Sequence, residues 1–420
     1  MVNAWNSIVS SFRKLWASHG KTIFRIGVLL TLVIGIYRLS VAFSCLLFES
    51  GGSSAMDLKF RSIEVDRWFS GMPIYGVLQH STYPPATYVI LWPLIGWFDY
   101  HGWHDITSQR IMWAITTVPM LLLLVYLCVR ESKANTNLEK IFIASMTFSL
   151  YPSGLTIYMG QLINHFLPLL LAGLLLLNNS KGRLQYDILA GSLLAFALAK
   201  PSTSVPFYWI VLFLPGRVRP FIIVLVGYVL VTFFSASFQE SSLVTLLTDW
   251  IRSAPNVNMA QGHANIHKWL VALNLKQLSL PSSFLILGIL GIWIFLYRKS
   301  NFWILVGVSA IVAHFWTYHR AYDDLLILLP MITLFRITKQ GPTTDGIDVI
   351  AAILLISSWA VLLFVPARII VNQTMLSMVV EIIQTVIWFS MLVFLIFYAW
   401  REKKNDPVPN INGMLINVSS

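Results

Sequence analysis

The sequence predicts an all-α bundle of about twelve transmembrane helices, with short juxtamembrane helices in its outer loops. Three observations carry this expectation. The 420 residues are 57% hydrophobic and only 11% charged, with a mean hydropathy of +0.71, whereas soluble domains hold roughly 25% charged residues. Apolar runs recur near the ~20-residue length that crosses a bilayer. The basic residues sit in short segments between those runs and form no stripe, so the net charge of +11 reads as positive-inside bias and argues against a nucleic-acid partner.

Arg13, Lys14, Lys21 and Arg25 precede the first apolar run, 23–45. That run is long and has no small-residue cleavage site behind it, so it is expected to remain as an uncleaved first span. Further runs at 110–129, 141–158, 163–178, 186–199, 204–214, 221–237, 281–297, 302–318, 322–335, 347–365 and 377–399 complete the set. The stretch 84–98 (PPATYVILWPLIGWF) is short and carries three prolines, which suits an interfacial or re-entrant segment.

Charge supports that choice. If 84–98 does not cross, the segments Arg130–Lys140, Lys181–Arg183, Arg217–Arg219, Arg298–Lys299, Arg336–Lys339 and Arg401–Lys404 share one side with the N-terminus. That side then holds 18 of the 29 Lys and Arg residues. If it does cross, all six later basic segments fall on the wrong side. The expectation is a single integral domain, 1–420, multi-pass in the inner (plasma) membrane with both termini cytoplasmic. Every histidine except His19 (His80, His101, His104, His165, His263, His267, His314, His319) then lies at or near the outer face, as do Asp57, Glu64, Asp66, Asp105, Lys200 and Asp323. Chemistry is expected there.

Two outer loops are long, 49–109 and 238–280. In the first, a helix after Asp57 (LKFRSIEVDRWF) groups Leu58, Val65, Trp68 and Phe69 on one face. The second mixes amphipathic and Gly/Asn-rich pieces, as a lid or acceptor-contacting surface would. No repeat of 20–50 residues is visible, so the inverted repeats of secondary transporters are not indicated. Cys45 and Cys128 lie in apolar runs and suggest neither a disulfide nor a metal site.

Asp57, behind the small residues Gly51-Gly52-Ser53-Ser54-Ala55, is placed either to accept a proton from a sugar hydroxyl or to cap the helix that follows. Glu64 and Asp66 read as solvated partners of Arg61 and Arg67. In the segment from His314 to Asp324 (HFWTYHRAYDD), His314, His319 and Arg320 offer donors and positive charge for a phosphate. The alternative there is an interfacial turn with aromatic anchors. Gln161 and Asn164 can contact a ligand or bond between helices. Lys200 at the outer face calls for an anionic partner, or snorkels to lipid headgroups. Arg38 inside the first span must face a polar crevice, and Arg110 is either a headgroup anchor or a phosphate ligand.

These residues, in this order, resemble glycosyltransferase family 87. The matching pieces are Asp57, the Gly71-x-Pro73-x-Tyr75 turn, Tyr83-Pro84-Pro85, Gly160-Gln161-x-x-Asn164, Lys200-Pro201 and the His-rich segment from His314 to Asp324. The resemblance covers most of the chain up to about residue 335. It implies a GT-C type membrane fold and an inverting transfer of one sugar, mannose or another hexose or pentose. The donor would be a polyprenyl-phosphate sugar and the acceptor a lipid or glycan outside the cytoplasm. By the same resemblance Asp57 is the general base and His319, or His314, the group near the donor phosphate. Tyr83, Gln161, Asn164, Lys200, Arg320 and Asp323 are then candidate substrate contacts, with no cofactor and no metal. The family includes a mycobacterial phosphatidylinositol-mannoside mannosyltransferase, whose branch tends to carry adjacent histidines where this sequence separates them.

Two other classes share the membrane setting. A lipid-linked-sugar flippase would line a path through both leaflets with polar residues, whereas here the ionisable groups crowd one face. A polymerase or ligase using lipid-diphosphate donors depends on a late outer loop rich in Arg and His. The loop 238–280 holds only Arg252, Lys268, Lys276, His263 and His267.

Overall fold

The computed structural model of the chain describes residues 2–49, 54–78, 81–96, 106–179, 182–215, 218–253, 263–343, 345–366 and 375–405. His80, His101, His104 and Asp105 lie outside the described residues. Among the described residues the fold is entirely helical, with no strand. In chain order the helices are α1 (Val2–Phe48), α2 (Met56–Phe69), α3 (Pro85–Leu91), α4 (Ile106–Glu131), α5 (Asn137–Ser149), α6 (Tyr151–Met159), α7 (Ile163–Asn179) and α8 (Leu184–Ala197). Then come α9 (Pro201–Ser204), α10 (Tyr208–Phe213), α11 (Val218–Ala236), α12 (Leu243–Ser253), α13 (Ile266–Ala272), α14 (Ser279–Tyr297), α15 (Phe302–Phe315), α16 (Leu328–Thr338), α17 (Ile347–Phe364) and α18 (Met375–Asn405).

Six helices, α1, α4, α11, α14, α17 and α18, are long and apolar enough to cross a membrane. The pair α5 and α6, bent by 43° at Leu150, makes a seventh if it acts as one span. The expected twelve is therefore not met by helix length. The run 204–214 is broken into Val205–Phe207, a tight 3-10 turn, and the short α10, because Pro201 and Pro206 interrupt any continuous ladder. The run 322–335 is half 3-10 turn (Ala321–Ile327) and half α16. The expectation for 84–98 fits what is described of it: α3 has only seven residues, about 10 Å of helix, which cannot cross.

Residues such as Leu29, Val33, Ile36, Leu122, Leu225, Leu230, Phe233 and Phe234 are exposed on the long helices. Contiguous apolar surface of this kind suits lipid. Inside, a large apolar core is built mainly from α5, α7, α15, α16 and α18. Where α1 meets the break between α5 and α6, Arg38 donates to the carbonyls of Ser149 (2.5 Å) and Leu363 (2.6 Å). Both carbonyls belong to helix ends, which in lipid would have no water to satisfy them. This is the polar crevice that Arg38 requires.

A second, smaller core belongs to α2 and α3 with the neighbouring ends of α1, α4, α6 and α7. As the apolar face predicted, Leu58, Val65 and Trp68 are buried. Trp68 stacks on Tyr88 with centroids 4.6 Å apart, and its indole donates to the Ser235 carbonyl at 3.0 Å. Each such side chain contributes about 1.5–3 kcal/mol by leaving water. Gly71 (φ +73°) ends α2: the Met72 amide bonds the Arg67 carbonyl and the Gly71 amide bonds the Trp68 carbonyl, the Schellman pattern that needs a left-handed residue. The chain then turns so that the Tyr75 hydroxyl donates to the Tyr83 carbonyl at 2.7 Å. Two motifs of the first loop are thereby one structural unit.

The start of α2 is fixed from three sides. Arg110 donates to the carbonyls of Glu49 (2.7 Å) and Ser54 (3.3 Å), so it is neither a headgroup anchor nor a phosphate ligand. The Ser54 hydroxyl reaches the Cys45 carbonyl at 2.6 Å, and the Ala55 amide reaches the Tyr158 carbonyl at 2.9 Å. Gly160 (φ +70°) lets α6 approach closely, since a Cβ there would lie 2.6 Å from the Leu58 Cβ. Gly160→Ala combines that clash with a left-handed backbone cost of about 1–2 kcal/mol. It is expected to lower the unfolding temperature in detergent by several degrees; an unchanged transition would contradict the packing described.

Candidate active site

Most ionisable groups singled out from the sequence converge at one end of the bundle, where α2, the α6–α7 junction, the α8–α9 turn and the segment after α15 meet. Helix α2 begins at Met56, and its N-cap, Ala55, is left-handed with no side-chain cap bond. Asp57 therefore sits in the first turn and is not the cap, so the structural alternative for this residue falls away. Its position still benefits from the positive end of the helix. Gln161 hydrogen-bonds the Asp57 carboxylate, while Asp57 Oδ2 is buried without a hydrogen-bond partner. Burial raises the Asp57 carboxyl above its ordinary range, against the Gln161 bond and the charges of Arg61, Arg320 and Lys200.

Lys200 ends the turn after α8 and is buried. It forms an ion pair with Asp323, across 123 residues of sequence, and stands 5.0 Å from the Tyr322 ring centroid. Snorkelling is excluded by this burial, and the anion that the lysine answers is in the first place internal. Burial works against the ammonium, yet Asp323 above all holds its pKa above that of an ordinary lysine. The turn itself is tied down: the Thr87 hydroxyl donates to the Ala199 carbonyl at 2.8 Å, and the Trp316 indole to the Ser202 carbonyl at 2.7 Å.

The second carboxylate oxygen of Asp323 accepts from His319 Nδ1 at 3.1 Å. Because a carboxylate only accepts, Nδ1 carries the proton, and Nε2 is the open nitrogen. Nε2 is buried and has no hydrogen-bond partner. Arg320 is half-buried and its Nε donates to the Tyr318 hydroxyl at 2.8 Å. Despite burial, Tyr322 and Tyr318 keep its guanidinium firmly charged. His314 stacks on His319 at 5.7 Å and lies 3.5 Å from Asp324, one layer deeper.

Tyr83 is half-buried, and its ring receives the Arg61 guanidinium at 4.5 Å. Arg61 pairs with Glu64, which also accepts from the Ser81 hydroxyl at 3.0 Å. The expected pairing holds, but Glu64 is 1% exposed and not solvated. Burial lifts its carboxyl to about 7 against Arg61 and Ser81. Arg67 instead donates to the Pro73 carbonyl. Asn164 is occupied on one side by the Thr156 hydroxyl at 3.0 Å, and its Nδ2 has no partner.

Asp57, Tyr83, Gln161, Lys200, His319, Arg320 and Asp323 thus share one polar chamber, with Asn164 and His314 behind it. Sequence reasoning missed Tyr318 and Tyr322 as members, because aromatic residues at such a position read equally well as interfacial anchors. It also missed Glu381 and Gln384 on α18, both buried near the back of the chamber. An acidic residue within an apolar run was the available signal for Glu381. Chemically, the chamber offers an unpaired carboxylate oxygen on one side and a histidine–arginine pair on the other. That is a base facing an anion site.

The model of glycosyltransferase family 87 matches residues 82–338, well over half of the chain. The match contains Tyr83, Gln161, Asn164, Lys200 and the whole segment from His314 to Asp324; Asp57 precedes it. No curated protein and no solved structure matches the chain significantly.

Removing one member of the buried Lys200–Asp323 pair leaves the other charge uncompensated, at a cost of about 3–5 kcal/mol. Lys200→Met is expected to lose that much stability, and Lys200→Met with Asp323→Leu to recover most of it, as read by unfolding in detergent. Equal losses in the single and double variants would show that the pair is not what holds these turns.

Proposed function

Because the chain belongs to glycosyltransferase family 87, and is therefore a membrane glycosyltransferase, we propose that it transfers one sugar from a polyprenyl-phosphate donor to a lipid or glycan acceptor with inversion. The observation that carries this reading is the pairing of an unpartnered Asp57 oxygen with a chamber wall built from His319, Arg320 and Lys200. The acceptor hydroxyl oxygen attacks the anomeric carbon while the bond from that carbon to the phosphate oxygen breaks. The hydroxyl proton passes to Asp57, and the polyprenyl phosphate leaves with the bonding pair. Phosphate is a good leaving group, so charge stabilisation by His319 and Arg320 suffices and no general acid is needed.

Asp323 orients His319 by accepting from Nδ1, which turns Nε2 toward the donor phosphate. Lys200 holds Asp323 in place and adds positive potential. Tyr83 and Gln161 shape the acceptor side, and Asn164 supports Gln161 from behind. Mannose is the first sugar to test, given the resemblance noted above, with arabinofuranose and glucose beside it. The positive-inside distribution of Lys and Arg supports a chamber on the extracytoplasmic face of the inner membrane, with both termini cytoplasmic.

The purified protein in liposomes is to be given radiolabelled polyprenyl-phosphate mannose, arabinofuranose or glucose with a membrane lipid extract. Label is expected to move from one donor into a new glycolipid, and Asp57→Asn to lower turnover by about 10²–10⁴-fold with its unfolding transition unchanged. Near-normal turnover in Asp57→Asn would overturn the assignment. Label that equilibrates across the bilayer without transfer would favour a flippase, and transfer only from diphosphate donors a polymerase or ligase.

The raised carboxyl of Asp57 also sets a pH dependence. A base must be ionised, so kcat/KM is expected to rise with pH through the elevated pKa of Asp57 and to fall on the acid side earlier than an ordinary carboxylate near ~4 would allow. An acid limb at the ordinary carboxylate position would contradict a buried base.

A further inference from the structure

Helix α18 lies beyond the segment that matches the family, and by hydropathy alone it is a membrane span. It nevertheless carries Glu381 and Gln384, both buried, at a cost that an apolar span does not normally bear. Their partners explain the cost. Glu381 Oε1 accepts from the Ala264 amide at 2.7 Å, and Oε2 forms an ion pair with Lys268. Gln384 Oε1 lies 2.8 Å from His263 Nε2, and its Nε2 donates to the Tyr151 hydroxyl at 3.2 Å. Tyr151 in turn donates to Asp324.

The short segment held in this way runs through His263, Ala264 and Asn265, with Ala264 in the left-handed region at φ +47°. It has one further polar contact that matters. The His263 amide donates to the His319 carbonyl at 2.8 Å, and Asn265 Nδ2 donates to the same oxygen at 3.2 Å. His319 is therefore fixed at its ring by Asp323 and at its backbone by the 263–265 segment. That segment is in turn clamped to α18 by Glu381.

We propose that Glu381 is a positioning residue for the donor phosphate. It holds the second outer loop against α18, and through that loop's grip on the His319 carbonyl it aims His319 Nε2. The inference rests on His319 contacting the donor phosphate, as proposed above. It assigns a role to a helix that length and hydropathy describe only as a membrane span. Lys268, His263 and Asp324 are the charged or titratable groups that face Glu381.

The test uses the full-length protein in detergent with decaprenyl monophosphate as the probe. Wild type is expected to bind it, and His319→Ala to weaken that binding. Glu381→Gln keeps an acceptor for the Ala264 amide but loses the pair with Lys268, and is expected to weaken binding about tenfold. In the His319→Ala background the same change is expected to do almost nothing, because residues that act through one another are non-additive. Exchanging the charges, Glu381→Lys with Lys268→Glu, is expected to restore most of the affinity. A purely structural role for Glu381 would instead give equal losses in both backgrounds, tracking the unfolding temperature, and would overturn the proposal. If wild type fails to bind the probe, the donor reading itself is at fault; if wild type binds through His319 and Glu381→Gln is silent, only this inference fails.

Discussion

Two charges that neither lipid nor an apolar core tolerates singly, Lys200 and Asp323, are buried against each other. The rest of the chamber depends on this pair. It joins the turn after α8 to the turn after α15, and neither turn has a regular helix to hold it rigid. Once Asp323 is fixed, its other oxygen sets the tautomer of His319, and the arginine beside it is pinned by Tyr318. A buried pair of this kind is poor value as stabilisation, since desolvation cancels much of the attraction. Its use here is geometric: it brings two remote stretches of chain into one register.

The same logic recurs wherever the bundle carries a charge. Arg38 supplies donors to carbonyls at two helix ends, Arg110 fixes the approach to Asp57, and Glu381 accepts from a loop amide. Each meets backbone groups that would otherwise be orphaned in a medium without water. Asp57 alone keeps a buried carboxylate oxygen with nothing to accept from, while three cations surround it at longer range. A carboxylate left incomplete among otherwise satisfied neighbours is poised for a substrate proton.

Much of the chamber was legible in the sequence, for a physical reason. Ionisable residues at the ends of apolar runs are expensive, so Asp57, Lys200, His319 and Asp323 stand out against their surroundings. The Gly71-x-Pro73-x-Tyr75 turn and Tyr83-Pro84-Pro85 stand out because Gly and Pro punctuate backbone. What the sequence hid was partnership. Lys200 read as facing an external anion or headgroups because its true partner lies 123 residues away. Glu64 read as solvated because Arg61 and Arg67 flank it, and nothing local says that Ser81 will close over it. The count of twelve spans failed where prolines and 3-10 turns cut apolar runs into pieces too short to cross. Hydropathy does not register those interruptions.

The central claim is that the donor phosphate lies between His319 and Arg320, with the acceptor hydroxyl opposite at Asp57. An experimental structure of the full-length protein with polyprenyl monophosphate tests it most directly. The account predicts the phosphate within hydrogen-bonding distance, about 2.7–3.2 Å, of His319 Nε2 and the Arg320 guanidinium. It also predicts a clear path from the ester oxygen toward Asp57 Oδ2. A phosphate seated instead on Arg61, or at the opposite end of the bundle, would contradict it.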